Sequence, residues 1–346
     1  MSFIVNQINL SIVTFALTSA IAISSTFLTT QAYAQQLNFT KKHSEGSVSL
    51  SFTWHDIQQQ KQQLSFTETS ESFFKPFRNF RAYNSPIAQK AILKKTVKAW
   101  RADPVDGVNL EISREQGHIS LSLSSPDEEA LNAGQVQLNQ LAKEMREQYL
   151  AERFYHVFTR YDGELGIKPN HVEIARQSAP LLKALKPQIL ATVELRNIRL
   201  VTDYTLQFIQ SIPYSPLVSR QTSAGAGFVP PLQLLYQNQG DCDSKVTLSA
   251  ALLRSLMPRI EMIMVFIDGH ALMGINAPAE PGDKTMTHEG ITYVLGEPTG
   301  PAQYPLGEIA LSSEQAIDAG LYSVEKFHYQ EQASDINVQE LAETDT

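Results

Sequence analysis

Apolar and polar side chains alternate from Gly46 to Thr67: Val48, Leu50, Phe52 and Trp54, then Leu64 and Phe66 beyond the glutamine-rich stretch Gln58–Gln63. A period of two marks a half-buried strand, so two strands joined by a surface turn are predicted here. The cluster Phe73, Phe74, Phe77 and Phe80 predicts a short buried helix. After Pro86 the period lengthens, and Ile87, Ala91, Leu93 and Val97 lead to Trp100 at helical spacing. VNLEIS and HISLSL return to alternation on either side of Arg114–Gly117 and predict a hairpin. Ser125-Pro126-Asp127-Glu128 supplies a capping serine, a first-turn proline and acids at the positive end of a helix dipole. With Leu131, Leu138, Ala142, Met145 and Tyr149 inward, this helix is predicted to run to about Phe158. Tyr161–Gly166 reads as a turn: counting from Gly163 puts Phe158 and Pro169 where a calcium loop needs its first and last oxygen ligands. Helix is predicted again over about Asn170–Leu185, broken at Pro180, and over Glu194–Gln210.

From Ser211 to Gln239 no period persists, and Pro, Gly and Ser accumulate. A loop this long inside a compact domain is usually functional, and this one is expected to wall or cover the segment after it. That segment, Gly240–Leu256, holds the only cysteine. Val246, Ala250, Leu253 and Met257 recur at helical spacing, and Pro258 stops the helix. Strands are then predicted over about Ile260–Ile267, Gly269–Ile275 and Ile291–Leu295, with a loop at Pro278–Gly290. The order of these elements predicts an α+β chain whose helix–strand–strand–strand core carries an antiparallel sheet.

Length, charge and composition divide this picture. A chain of 346 residues has room for two domains, read here as an N-terminal α/β region at 35–165 and a cysteine-bearing domain at 166–330. The first 34 residues carry no charged side chain; Ile8–Ile23 is apolar, and Ala32-Tyr33-Ala34 precedes Gln35. Residues 1–34 therefore read as a signal peptide, and the mature chain is expected to be periplasmic or secreted. The missing Lys or Arg leaves an uncleaved anchor as the alternative, the one membrane contact expected. Residues 331–346 read as an acidic flexible tail. A net charge of −8 argues against nucleic acid, and one cysteine excludes an intrachain disulfide and a multi-cysteine zinc site.

Cys242 sits at a helix start, where free N–H groups and the dipole favour a thiolate. A lone cysteine is otherwise a small packed hydrophobe, but Asp241 and Asp243 on either side speak against an apolar site. Both are expected to serve as cap and packing groups pointing away from the sulfur, with Asp243 bonding free N–H groups of the first turn. A thiol nucleophile needs an imidazole, and the imidazole an orienting group. His270 opens a strand after Gly269, which leaves room for an approach, and Glu297 ends the next strand. Pairing of those strands would bring the carboxylate to the ring.

Phe208–Tyr214 (FIQSIPY), Pro230-Pro231, Gly240-Asp241-Cys242-Asp243, the helix SAALLRSL, Gly269-His270-Ala271 and Tyr293–Thr299 together resemble the transglutaminase-like branch of the papain-like thiol enzymes. The resemblance covers about Leu195–Thr299 and implies a papain-like core with the cysteine at a helix N-terminus packed on an antiparallel sheet. It implies a catalytic set of Cys242, His270 and Glu297, with glutamate where the family more often has aspartate. It also implies acyl transfer from an amide of a peptide or protein, to water (peptidase or amidase, the favoured outcome) or to an amine (transglutaminase). The oxyanion would be held by the Cys242 backbone N–H and a second donor, with Tyr236, Gln237 and Gln239 as candidates. No phosphate loop or spaced metal-ligand set accompanies these residues, and no cofactor is expected. A metal held by Asp241, Asp243, His270 and Cys242 is disfavoured, because the aspartates flank the cysteine too closely. The rival reading is a catalytically inactive binding or assembly module on the same scaffold.

Overall fold

Three antiparallel strands open the described chain: β1 (Gln35–Ser44), β2 (Ser47–His55) and β3 (Lys61–Thr69). They belong to a computed structural model that describes residues 35–115, 118–193, 197–218 and 227–329. The leader expected at 1–34 and the tail at 331–346 lie outside those residues. The alternation of β2 and β3 places Leu50 opposite Phe66 and Phe52 opposite Leu64, all buried. β1 carries no clear period because its sequence, QQLNFTKKHS, is mostly polar; Lys41 and Lys42 suit it to an edge.

α1 (Ser70–Phe74) and α2 (Ser85–Ala102) come next, then the hairpin β4 (Asn109–Glu115) and β5 (His118–Ser124), then α3 (Glu128–Ala151). α3 ends seven residues before the expected Phe158. Phe154 takes φ 60°, and the chain turns into β6 (Tyr155–Thr159), paired with β7 (Leu165–Pro169) across a turn closed between Arg160 and Glu164, so the expected turn gives up Leu165 and Gly166 to the strand. The run Tyr155–Phe158 is aromatic and β-branched, a composition that favours a strand once the helix has stopped. α4 (His171–Ser178) passes at Pro180 into a 3₁₀ turn (Ala179–Leu185), and α5 (Lys186–Thr192) and α6 (Ile198–Ser211) complete the middle of the chain. α7 (Pro231–Gln237) lies inside the stretch read as loop.

α8 (Cys242–Leu256) is buried from Ser244 through Leu253, so the expected one-sided face is in fact nearly the whole helix. It packs on a five-stranded sheet of β8 (Met262–Ile267), β9 (His270–Ile275), β10 (Thr285–His288), β11 (Ile291–Gly296) and β12 (Ser323–Phe327). The strand order is β10-β11-β9-β8-β12, antiparallel throughout. β10 falls in the expected loop Pro278–Gly290. Ala271, Met273 and Ile275 join the core around α8, while Leu272, Ile263 and Val265 join a second cluster with Ile317 of α9 (Leu311–Asp318).

The fold is α+β with antiparallel sheets. One hydrophobic cluster runs from Val48 to Phe327. The Phe208 ring of α6 lies 5.2 Å from both Phe52 and Trp54 of β2, so the first sheet closes the same core that holds α8. Emptying that contact by Phe208→Ala would cost about 3–5 kcal/mol. Among the described residues no helix is long and apolar enough to cross a membrane.

Candidate active site

The start of α8 is set by its cap. Asp241 has extended backbone and its Oδ1 accepts the N–H of Ser244 at 3.0 Å, which makes Cys242 the first helical residue. The expectation that Asp243 would bond the first turn is thus corrected by two positions. Asp243 faces the cleft instead, with Oδ2 3.9 Å from Nε2 of the fully buried His171. Just before the cap, a Cβ on Gly240 would lie 2.5 Å from Leu234 Cδ1, so a side chain there would force buried Leu234 to move.

The Pro-rich segment is tied to this corner from both sides. Gly240 donates to the Pro213 carbonyl and accepts from Ser215 N–H, at 3.2 and 3.0 Å. Lys245, with no solvent exposure, donates from Nζ to the Ile212 carbonyl, and Val229 N–H donates to Ser244 Oγ at 2.9 Å. Tyr214 and Pro216 consequently line the cleft beside Cys242.

His270 heads β9 immediately after Gly269, whose φ is +70°. A Cβ on Gly269 would meet nothing within 4 Å, so its positive φ serves the turn's backbone, and the residue lines the open cleft beside Cys242. At the open end of the sheet the ring reaches two ways: Nδ1 lies 3.0 Å from Cys242 Sγ, and Nε2 lies 2.7 Å from Glu297 Oε1. The strand register accounts for the second distance. Gly296 pairs with Met273; one step further Glu297 falls across from Leu272, diagonal to His270, within the ~7–8 Å that long side chains bridge.

Glu297 is buried, and its other oxygen is held as well. Oε2 accepts the N–H of Ala310 at 2.8 Å and the hydroxyl of Ser313 at 3.4 Å, at the start of α9. That helix has no side-chain cap of its own at Ala310, so the carboxylate fills the role. Gln210 Nε2 donates to the Glu297 carbonyl at 2.9 Å and to that of Tyr304 at 2.8 Å. Ala310, Ser313 and Gln210 were not foreseen as supports. Gln210 stands within the FIQSIPY motif, but α9 has only a weak apolar pattern.

The ring's charge is set by these neighbours. Burial alone would lower His270, but its hydrogen bonds to Cys242 and Glu297, and the negative charge of both, push it up to about 10. An imidazolium so held is the natural counter-ion of a thiolate. Burial raises Asp241 to about 7, and it raises Asp243 against the pull of Lys168 and His270.

The cleft over Cys242 has a volume of about 360 Å³; Tyr214, Asp243, Lys168, Phe266 and His270 are among its walls. Tyr236, Gln237 and Gln239 are not. Tyr236 packs instead against Phe73 and Phe74, with its hydroxyl 3.4 Å from His43 Nε2. The Gln237 side-chain oxygen is buried without a hydrogen bond. α7, unseen in the sequence, carries Tyr236 and Gln237 away from the cleft. Lys168 comes from β7 and is fixed by Glu325 of β12 at 2.8 Å, with Nζ 3.4 Å from the Phe266 ring centre. Among the described residues no group of three or more His, Cys, Asp or Glu could hold a metal ion.

No protein-family model, curated protein or solved structure matches the chain.

Proposed function

We propose that this chain is an exported, cysteine-dependent acyl-transfer enzyme that cleaves amide bonds of a peptide or protein, on a transglutaminase-like scaffold. The observation that carries the reading is the His270 ring bridging Cys242 Sγ and Glu297, with the carboxylate anchored on its far side. Cys242 starts a helix, His270 starts a strand and Glu297 directly follows the end of one. The antiparallel sheet under α8 supports the scaffold assignment.

In this reading the Cys242 sulfur attacks the amide carbon, and the carbonyl electron pair moves onto oxygen. As the C–N bond breaks, His270 Nδ1–H passes its proton to the leaving amine. Water then attacks the thioester and gives its proton to His270, releasing the acid and the thiol. Glu297 keeps the ring oriented throughout and stabilises its charged form. The Cys242 N–H, at the first position of α8, is one donor to the oxyanion. Tyr214 is proposed as the second, in place of Tyr236, Gln237 or Gln239. Its hydroxyl is raised by burial and by the negative charge of Cys242, Asp241 and Asp243, so it remains a donor at neutral pH.

The test is incubation with peptide and cell-wall-peptide libraries, with and without a primary amine, followed by mass spectrometry. Carboxylate products that vanish in Cys242→Ala support hydrolysis; amine-linked products in excess would reassign the acceptor. Absence of turnover, with Cys242 no more reactive to iodoacetamide than free cysteine, would leave a binding module.

A further inference from the structure

A second concavity, about 910 Å³, lies among α2, α3 and β5, on residues for which the Cys242 site has no use. Its apolar wall is built from three elements: Ile92 and Leu93 of α2, Ile119 and Leu121 of β5, and Ala142 of α3. Ile119 and Leu121 are two apart on a strand and so share a face. All five side chains are half-buried. The wall is open to a ligand and is not packed shut.

The charged side chains that line this groove are all cations: Lys90, Lys143 and Arg146. Among the described residues none of them stands in an ion pair. The helix behind them is similarly one-sided. α2 carries Lys90, Lys94, Lys95, Lys98 and Arg101 with no Asp or Glu, and Lys95 is paired, to Glu152 at 2.8 Å. A chain of net charge −8 thus concentrates positive charge along the rim of an aliphatic groove. Pockets for small ligands span ~300–1,000 Å³ and combine an apolar lining with a few convergent polar groups.

We infer that this groove binds a single-chain anionic amphiphile of the fatty-acid class. The chain lies along Ile92, Leu93, Ile119 and Leu121, and the carboxylate meets Lys90, Lys143 and Arg146. A neutral lipid would leave the three cations without a role, and a polyanion would leave the aliphatic wall without one.

The test titrates the full chain with decanoate, dodecanoate and the uncharged dodecyl maltoside, each below its micelle concentration. One dodecanoate should bind per chain. Each buried methylene should tighten binding about fourfold, so dodecanoate should exceed decanoate by roughly 15-fold. Dodecyl maltoside should bind at least about 10-fold more weakly. The charge-reversed triple variant K90E/K143E/R146E should lose that preference while Cys242 keeps its reactivity toward iodoacetamide. A second variant, Leu121→Asp, should weaken dodecanoate and dodecyl maltoside alike. A photoreactive fatty acid should label peptides of α2, β5 or α3. The inference fails if dodecyl maltoside binds as tightly as dodecanoate, if charge reversal changes nothing, or if the label falls elsewhere. It also fails if phosphatidylglycerol vesicles bind but free dodecanoate does not, since the basic helix would then be a membrane contact.

Discussion

Glu297 grips His270 at 2.7 Å with one carboxylate oxygen and the start of α9 with the other. The bond to the ring is therefore backed by a second bond that keeps the acid from following it. Glu297→Gln retains the shape but offers an amide N–H where at least one of its partners is itself a donor. The unmet donor should cost about 1–3 kcal/mol of stability, read by urea denaturation. Amide cleavage should fall on the order of 10²-fold, with the larger part in kcat, because the ring loses its orientation. Unchanged kcat would remove Glu297 from the catalytic set.

The pH profile supplies an independent check on the ring. His270 is raised to about 10 in the folded chain, from about 6.5 unfolded. A raised base stabilises the fold fully below pH 6.5, and that contribution is lost as pH rises toward 10. The alkaline limb of amide cleavage should accordingly lie near pH 10, and in Glu297→Gln it should move to lower pH. At pH 6, Cys242 should react with iodoacetamide about 10-fold faster than a free thiol. A limb near 7 in both proteins would mean that the imidazolium is not held as described.

Tyr214 is the only oxyanion candidate among those considered that borders the Cys242 cleft. Tyr214→Phe removes one hydroxyl from a half-exposed ring and should leave stability within about 0.5 kcal/mol. Loss of an oxyanion donor typically costs ~10²–10³ in kcat. A loss of that order, with iodoacetamide alkylation unaffected, would mark Tyr214 as acting on the oxyanion and not on the thiol. An intact kcat would leave the second donor to a backbone group.

The meeting of Cys242, His270 and Glu297 was legible in the sequence because each sits at or beside the end of an element with a clear period: α8, β9 and β11. The sequence concealed their supports. Ser313 and Ala310 belong to LSSEQAID and the residue before it, where Ile317 is the one buried apolar side chain and no period can be read. Lys168 lies 74 positions before Cys242 in β7, whose five residues LGIKP are too few and too mixed for any period to show. The cap went to Asp241 instead of Asp243 because either aspartate satisfies the composition rule and only backbone geometry separates them. Tyr236, Gln237 and Gln239 were candidates through nearness in sequence, and α7 carries Tyr236 and Gln237 away from the cleft.

Beneath the cleft, acid sensitivity is built in. His171 is fully buried, and burial holds it down to about 3. Thr247 Oγ1 donates to the Asp243 carbonyl at 2.7 Å and so accepts from His171 Nδ1–H at 3.2 Å, which assigns the neutral tautomer. Between pH 6.5 and 3 the unfolded chain takes up a proton that the folded chain refuses, so stability falls as pH falls. Glu325 adds to this lower down. Burial would raise it, but His156, His171 and Lys168 bring it to about 2, and its contribution is lost between 4.5 and 2. Asp241, raised to about 7, works in the opposite sense between 7 and 3.8. His171→Asn keeps a donor for Thr247 but does not titrate. Its stability should vary less with pH between 6.5 and 3, after an initial loss of about 1–3 kcal/mol from the smaller side chain. Urea midpoints across that range decide the matter; equal slopes in both proteins would exonerate His171.

Two effects of opposite sign meet in Lys245. Its stem is wholly buried in α8 and its amine donates to Ile212, the residue that carries the chain toward Tyr214. Burial lowers it to about 7, against the pull of Cys242 and Asp241. A depressed base binds fewer protons folded than unfolded between pH 7 and 10.5, so its share of stability rises with pH across that window. His270 has the reverse slope from 6.5 to 10, and in the native chain the two offset each other. Lys245→Met removes the first slope and should expose the second as a steady fall in stability above pH 7. Near pH 6 the variant should lose little, because replacing a buried charge by an apolar stem is often neutral. By pH 9 it should trail the native protein by about 1–3 kcal/mol, the cost of an unmet Ile212 carbonyl once the lysine is neutral. The cation also favours the thiolate, so alkylation of Cys242 at pH 6 should slow several-fold. If stability and alkylation both follow the native pH dependence, Lys245 is only a filler of the core.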